Sequence, residues 1–515
     1  MVSNESKTNN REFRIKFAEP HGPIAPDAES NDAKNIESTI DAAYKEGIKS
    51  HADLTVLPYD DVFFILTPEK SITTVPKAEF SQRLDEISEV RKNVSYYKTI
   101  LQNDNGFYSQ FQDKVAEFRT AVQRLFQLNM FEGYYDGSNM HFGFLAMRIE
   151  NDKFLITSRG SSKAGMPLDD IVLIDSVDWE NKIVHVKSSG KKASLNANVA
   201  ARLFKELPEM KYILHSHNAL GLKNETSTDY PLGTQEDIDE VVPRLIEEPA
   251  VDLKNHGCMA LGKDLGEVIG NAGHSHVYNN FPEFYDIVYH RFQKSDDFFR
   301  LIEKELKKDD KILDLCCGTG EASINLWHRG YRNIAGIDMS KKMLDFMAVK
   351  LKREGVQMPL KEHSMDNIPN LNCDGIVIRQ AINYLMPYER LAYGFKQMHQ
   401  SLSSEGKLIF NSPNLDALDC SSKVSCYSAG DYDVKVHEMN HIEGKIITHT
   451  QRCMLIDRNT FNVKKIYDLN RFALYSQEEF RDALLEAGFS KIRFYRKGLY
   501  GMDEKSRSLY CVAEK

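Results

Sequence analysis

The apolar positions change period along the chain. DDVFFILTP (60–68) is a short continuous apolar run and predicts a buried strand. NIESTIDAAYKEGIKS (35–50), LDEISEVRKNVSYYKTILQ (84–102) and SQFQDKVAEFRTAVQRLFQLNMF (109–131) space their apolar residues three and four apart, which predicts helices. From 131 to about 265 the pattern becomes strands between Gly, Asp and Asn turns. HFGFLAMRIENDKFLITSRG (141–160) predicts a hairpin turning at Asn151-Asp152, and IVLIDSVDWENKIVHVKSSG (171–190) a second. LNANVAARLFKELPEM predicts a helix leading into the strand YILHSHNAL (212–220), and EFYDIVYHRFQKSDDFFRLIEKELK a further helix. Beyond 310, strands and helices alternate in βαβ order, which implies an α/β fold with a parallel, doubly wound sheet.

The first 34 residues are polar and read as a disordered arm, followed at 35–108 by a small helix-and-strand extension of no assignable role. The boundary between the two large halves falls near 272–283, and no internal repeat is visible. With 515 residues, 42% of them hydrophobic, several cores are affordable. A formal net charge of −9 argues against a nucleic-acid surface as the main business. No apolar run approaches the ~20 residues a bilayer needs. The N-terminal stretch lacks the apolar core of a signal peptide. The eight cysteines include no C-x-x-C pair and read as reduced thiols. The expectation is a soluble, cytoplasmic protein with no nucleic-acid or membrane partner.

The end of YILHSHNAL poses a chemical question. His215 and His217 sit at i and i+2, so they share one face of a strand and can reach one ion together. Two imidazoles hold a catalytic metal poorly. VDLKNHGCMALGKDL (251–265) offers a third, His256, followed by Gly257, where the backbone can turn or approach a neighbour closely. Three neutral imidazoles leave a position open for water or a substrate oxygen. Two other histidine patterns weigh less. His274 and His276 (GHSH) lie in the presumed connection between halves. HEMNH (437–441) matches H-E-x-x-H, but that motif works only on a helix, and DVKVHEM alternates like a strand.

KFLITSRG…DDIVLID…YILHSHNAL…VDLKNHGCMALGKDL resembles, in order and spacing, the class II aldolase/adducin family over roughly 115–272. The resemblance implies an αβα domain over 109–272 with His215, His217 and His256 as ligands of zinc or of Mn, Fe or Co. It also implies homo-oligomers formed through this domain. The family's proton-transferring Glu corresponds here to Asn196, in ASLNANVAARLF, and a neutral amide is no general base near pH 7. Ordinary sugar-phosphate cleavage is therefore doubtful by the sequence.

KILDLCCGTGEASINLW (311–327) is strand, glycine loop and helix. The dinucleotide pattern G-x-G-x-x-G fails at Ser323, whereas D-x-x-x-G-x-G fits Asp314, Gly318 and Gly320. This looks like the first motif of class I S-adenosylmethionine-dependent methyltransferases, a resemblance covering 283–515. It implies a Rossmann-like domain that binds S-adenosylmethionine through Asp314, Gly318, Gly320, Asp338, Met339, Asp366 and Arg379. Asp338 ends the next strand and is the ribose-hydroxyl partner in this reading. DVKVHEM, KIITHTQRCMLID and FNVKKIYDLN form an antiparallel lid insert between 415 and 475. Tyr384 and His437, with His441, are the candidates that face a methyl acceptor.

The sequence thus points to a bifunctional small-molecule enzyme: methyl transfer in the C-terminal half and a metal-dependent, lyase-like activity on a hydroxy-carbonyl substrate in the N-terminal half. Fusion suggests one shared pathway, such as specialised-metabolite biosynthesis. The alternative is a methyltransferase whose aldolase-like half only binds or oligomerises. A third class is a regulator that binds S-adenosylmethionine without turnover.

Overall fold

A computed structural model describes residues 14–18, 39–40, 42–44, 52, 54–59, 61–68, 71–133, 140–273, 278, 280–289, 296–413, 422–495 and 508–515. The chain divides into two compact units. The first holds Met1–Gly273 with Ser425–Val436 and Arg452–Ile466. The second holds His274–Val424 with His437–Gln451 and Tyr467–Lys515.

The first unit opens with a four-stranded sheet, β1 (Ile15–Phe17), β2 (Leu54–Tyr59), β3 (Val62–Leu66) and β4 (Ile72–Pro76). β1 lies in the stretch read as a disordered arm, and its three residues pair in parallel with Leu54, Thr55 and Val56. Too short to show any period, it takes its order from the edge of β2.

An eight-stranded sheet carries the rest: β5 (Lys98–Asn103), β6 (Phe144–Arg148), β7 (Phe154–Thr157), β8 (Ile171–Asp178), β9 (Ile183–Ser188), β10 (Tyr212–Ser216), β11 (Ala250–Leu253) and β12 (Gly257–Gly262). Its order is β11-β12-β10-β6-β7-β8-β9-β5. Both expected hairpins form. The helix expected over 84–102 does not: it spans Phe80–Lys92, and Lys98–Asn103 pairs instead in parallel with β9. All six β5 residues are exposed, so no inward face marked them as strand; the open ladder of β9 decides. Helix Ala197–Glu206 buries Val199, Leu203 and Phe204, and helix Gln235–Glu247 buries Ile238, Val241 and Leu245, in one core with Phe144, Ile213 and Met259.

The second unit is built on β13 (Ile312–Leu315), β14 (Ile334–Asp338), β15 (Leu360–Glu362), β16 (Cys373–Ile378) and β17 (Leu402–Pro413), all parallel, with β22 (Ser490–Tyr495) and β23 (Ser508–Glu514) antiparallel at one edge. The order β15-β14-β13-β16-β17-β23-β22 reverses at β13, so the carboxyl ends of β13, β14 and β16 flank a topological switch point, where such sheets bind ligands. The long helix expected from 283 onward is described as two segments, Pro282–Val288 and Asp297–Glu305; residues 290–295 lie outside the described ones.

Between β17 and β22 the insert forms four strands in meander order: β18 (Lys423–Ala429), β19 (Tyr432–Glu443), β20 (Ile446–Asp457) and β21 (Val463–Ala473). Their residues are apportioned between the two units. Ile456 belongs to the first unit, where it shares a core with Leu57, Phe64 and Phe142. The sequence suggested a lid belonging wholly to the C-terminal half. HEMNH lies within β19, a strand, so its two histidines lack the helical spacing a zinc-protease site requires.

Among the described residues no helix is long and apolar enough to cross a membrane. Cys258, Cys316, Cys317, Cys373 and Cys511 are free thiols.

Candidate metal centre and cofactor loop

His215 lies within β10, and His217 follows one residue beyond it; His256 closes the turn between β11 and β12. Gly257 allows the convergence. Its φ is +108°, and a Cβ there would stand 2.1 Å from Ser216 O and 2.6 Å from His217 Cα. Only glycine lets the β12 backbone come so close to β10. The three ligand atoms lie within 4.8 Å of one another, all buried. The ring centroids are 5.0, 5.2 and 4.6 Å apart.

Hydrogen bonds decide which nitrogen each ring offers. His215 Nδ1 is 2.9 Å from Cys258 O. A carbonyl only accepts, so Nδ1 carries the proton and Nε2 keeps its lone pair. His256 Nδ1 is 2.9 Å from Ser71 Oγ, whose own proton has Asp229 Oδ1 at 3.3 Å. A relay of His256 Nδ1–H to Ser71 Oγ and Ser71 O–H to Asp229 leaves His256 Nε2 free as well. Both Nε2 atoms are buried with no hydrogen-bond partner. His217 Nδ1 faces Glu132 Oε2 at 3.9 Å, and Phe142 stacks on its ring at 4.9 Å. Such outer partners fix the tautomer of metal-bound imidazoles. Orphaned, buried, neutral imidazole nitrogens are the donor set a divalent ion such as zinc takes.

Burial drives the histidine pKa values down, to about 4 for His215 and well below the usual value for His217 and His256. Neutral imidazoles are the ligating form. These groups bind fewer protons folded than unfolded, so they stabilise the metal-free protein above the unfolded pKa of about 6.5 and lose that contribution as pH falls toward 4. Thermal melts of the metal-free protein are expected to show Tm falling from pH 6.5 downward, and saturating zinc should flatten that decline.

The sequence pointed to the three ligands but missed three of their supports. Ser71 comes from the small extension that had no assignable role. Glu132 is buried just before the residues 134–139, which lie outside the described ones. Lys465, on β21, places its Nζ 3.3 Å from each Glu132 carboxylate oxygen, and its charge lowers the pKa of both His217 and His256. No periodicity or spacing marks a residue contributed from across the fold. Ser71→Ala is expected to weaken zinc binding by about 10- to 100-fold, as loss of an outer-shell partner does, read by competition with a chromophoric chelator. An unchanged affinity would remove Ser71 from the site.

Asn196 caps helix Ala197–Glu206, 1% exposed, with both side-chain amide atoms lacking a partner. His274 and His276 lie outside the described residues.

In the second unit the glycine loop follows β13. Gly318 has φ +53° and open space where a Cβ would stand, while Gly320 has φ +84° and a Cβ would meet Met347 Cγ at 2.7 Å. Asp338 ends β14 and binds the loop: Gly318 N donates to its Oδ2 at 2.9 Å and Ser340 N to its Oδ1 at 2.8 Å. Burial raises its pKa despite these bonds. Met339 beside it is 72% exposed.

Two of the expected ligands also brace the loop. Asp314 is buried, and Ser323 Oγ donates to its Oδ2 at 2.5 Å. Ser323 is the residue that breaks the dinucleotide pattern, so the departure from that pattern has a structural use here. Arg379 pairs with Glu321 at the start of helix Glu321–His328 and lies over the Phe299 ring at 5.3 Å. Asp366 accepts from Ser364 Oγ and Arg390 Nε, which lower its pKa. His437 is 2.5 Å from Ser422 Oγ, and Tyr384 OH is 3.3 Å from Tyr278 OH.

Comparison with known proteins agrees with this division. Residues 122–222 match the family described as the class II aldolase and adducin N-terminal domain, and residues 312–406 match the methyltransferase domain family. YqeM of Bacillus subtilis (strain 168), which carries a methyltransferase name, is 33% identical over 139 residues, 26% of this chain and 55% of its own. The chain thus spans about half the length of that relative. A demethylmenaquinone methyltransferase of Leptospira interrogans is 31% identical over 78 residues, 15% of this chain and 31% of its own. A crystal structure of an S-adenosylmethionine-dependent methyltransferase from Clostridium acetobutylicum aligns with a TM-score of 0.38 at 20% identity, covering 46% of this chain and 98% of that one. Residues 122–222 are thus similar to a class II aldolase/adducin N-terminal domain and residues 312–406 to a methyltransferase domain.

Proposed function

We propose that the second unit is a methyltransferase that uses S-adenosylmethionine and methylates a small molecule. The observation that carries this reading is Asp338 at the end of β14, held by the Gly318 and Ser340 amides beside the open backbone of Gly318. A carboxylate so placed suits two vicinal hydroxyls, and a backbone without a Cβ lets a flat ligand lie against it. Bound S-adenosylmethionine would supply an electrophilic methyl group. The residues of this chain orient the cofactor and exclude water from the reacting atoms. Asp338→Ala removes charge-assisted hydrogen bonds worth about 1.5–3 kcal/mol each. Its S-adenosylmethionine affinity, measured by calorimetry, is expected to fall at least tenfold. Unchanged affinity would sink the assignment.

A second activity is favoured by the orphaned Nε2 atoms of His215 and His256. We infer that the first unit holds one divalent ion, zinc by preference and Mn, Fe or Co by chemistry, on His215, His217 and His256. Such an ion supplies Lewis acidity toward a carbonyl or hydroxyl oxygen. Asn196, which stands at the position of the family's proton-transferring Glu, cannot take a proton near pH 7, so the lyase-like step on a hydroxy-carbonyl compound needs another base. The alternative, a metal centre that only binds a ligand, predicts stoichiometric metal with no turnover. Mass spectrometry of metabolites from cells producing the protein separates the cases: a gain of one methyl group alone marks the monofunctional enzyme. The reading includes assembly into homo-oligomers through the first unit and a role in a biosynthetic pathway.

A further inference from the structure

Tyr278, Tyr285, Tyr289 and Tyr384 of the second unit form one aromatic cluster. Tyr285 stands 5.3 Å from Tyr278 and 4.9 Å from Tyr289, centroid to centroid, and Tyr384 stands 6.4 Å from Tyr278. All four are only half-buried, so the cluster presents surface. It adjoins the cofactor loop: Ser340 Oγ donates to Tyr278 O at 3.0 Å, and Asp286, next to Tyr285, accepts from Thr319 Oγ1 at 2.5 Å.

At its far side lies Asp468, fully buried in β21. Tyr289 OH donates to Asp468 Oδ2 at 2.8 Å, and Asn470 Nδ2 donates to the same oxygen at 2.6 Å and to Tyr289 OH at 3.1 Å. Because a carboxylate only accepts, these bonds settle which end of the Asn470 amide is nitrogen. Asn470 Oδ1 is therefore a true carbonyl oxygen, 2% exposed and without a donor. Asn383 repeats the arrangement one residue before Tyr384. Its Nδ2 donates to Ala473 O at 2.7 Å, and its Oδ1 is buried with no partner. Buried polar atoms are normally paired, and unpaired ones call for a ligand or a water.

We propose that these residues are the methyl-acceptor subsite and that the acceptor is an amine, a deeper statement of the methyltransferase reading on which it rests. The two orphaned oxygens ask for N–H donors. The tyrosine faces attract a cation, and Asp468 supplies the opposite charge. Burial holds the Tyr278, Tyr285, Tyr289 and Tyr384 pKa values above the ordinary phenol value, so the rings stay neutral at pH 7. A carboxylate or phosphate ligand would leave both oxygens unpaired and bring its charge against Asp468. An alcohol acceptor would need a strong base, whereas a neutral amine attacks unaided. The bound ammonium first gives one N–H proton to water, and the neutral amine nitrogen then forms the new N–C bond with its lone pair while the S–C bond of S-adenosylmethionine breaks. That bond's electrons return to sulfur to give S-adenosylhomocysteine, and the surplus N–H proton passes to water.

The test uses the full chain saturated with S-adenosylhomocysteine, whose binding is measured first by calorimetry. Tetramethylammonium chloride is then titrated as the probe, with tert-butanol as a neutral molecule of similar size. Saturable binding of the cation alone is expected. It should weaken at least tenfold in Asp468→Asn, with S-adenosylhomocysteine affinity unchanged. Tyr384→Leu, a half-buried position, should weaken it too and serves if the Asp468 variant fails to fold. Normal S-adenosylhomocysteine binding with no preference for the cation, or with both variants binding it as tightly as the parent, overturns the amine subsite and leaves the methyltransferase reading standing. Absent S-adenosylhomocysteine binding overturns both.

Discussion

His256→Ala is expected to reduce zinc from one equivalent per chain to background after dialysis, read by elemental mass spectrometry. The same result is expected for His215→Ala and His217→Ala, because two imidazoles cannot hold the ion against buffer and chelator. The relation between binding and stability gives a second readout. An ion present at 100 times its Kd stabilises the folded protein by about 2.7 kcal/mol, so zinc should raise the Tm of the parent and leave the three variants unmoved. The variants are also expected to melt below the metal-free parent, because each loses a buried ring, and His215→Ala and His256→Ala also lose the hydrogen bond to Cys258 O or Ser71 Oγ. The readout is the zinc-induced shift of each variant against its own metal-free form. His274→Ala and His276→Ala are the controls and should keep full metal. Retention of zinc in all three site variants, or equal loss from the controls, would move the site elsewhere.

What the sequence made legible, and what it did not, follows from the range of the forces involved. His215 and His217 are two apart on a strand, and His256 precedes a glycine, so local geometry alone exposed them. Asp314, Gly318, Gly320 and Asp338 were equally visible because a strand, a loop and a helix in sequence carry their positions. Their roles were less legible. Asp314 also accepts from Ser323 Oγ, a contact between residues nine apart in sequence that the motif does not announce. Ser71 and Lys465 lie 185 and 209 residues from His256, and only the folded chain places them near it. β5 and β1 failed for a related reason: a strand at a sheet's edge, exposed on every residue or only three residues long, has no period of its own and is defined by its partner.

The contribution of the insert decides the last expected result. The sequence suggests that the halves separate near Asn271, but the first unit includes Arg452–Ile466. A fragment ending at Gly273 would lack Ile456, which is fully buried against Leu57, Phe64 and Phe142, along with Phe461 and Val463 at the margin of that core. Removing one such buried aliphatic side chain costs about 2–5 kcal/mol, and a domain has only about 5–15 kcal/mol in total. The fragment would also remove the Lys465 charge from beside the buried Glu132. Residues 1–273 alone are therefore expected to be unfolded or aggregated and to hold no zinc, as circular dichroism and metal analysis would show. The complementary fragment from Asn271 keeps the whole parallel sheet, the glycine loop and Asp338. It is expected to bind S-adenosylmethionine, and a chelator should leave that binding intact. A stable, zinc-loaded fragment 1–273 would show that Arg452–Ile466 is dispensable to the metal centre, and with it Lys465.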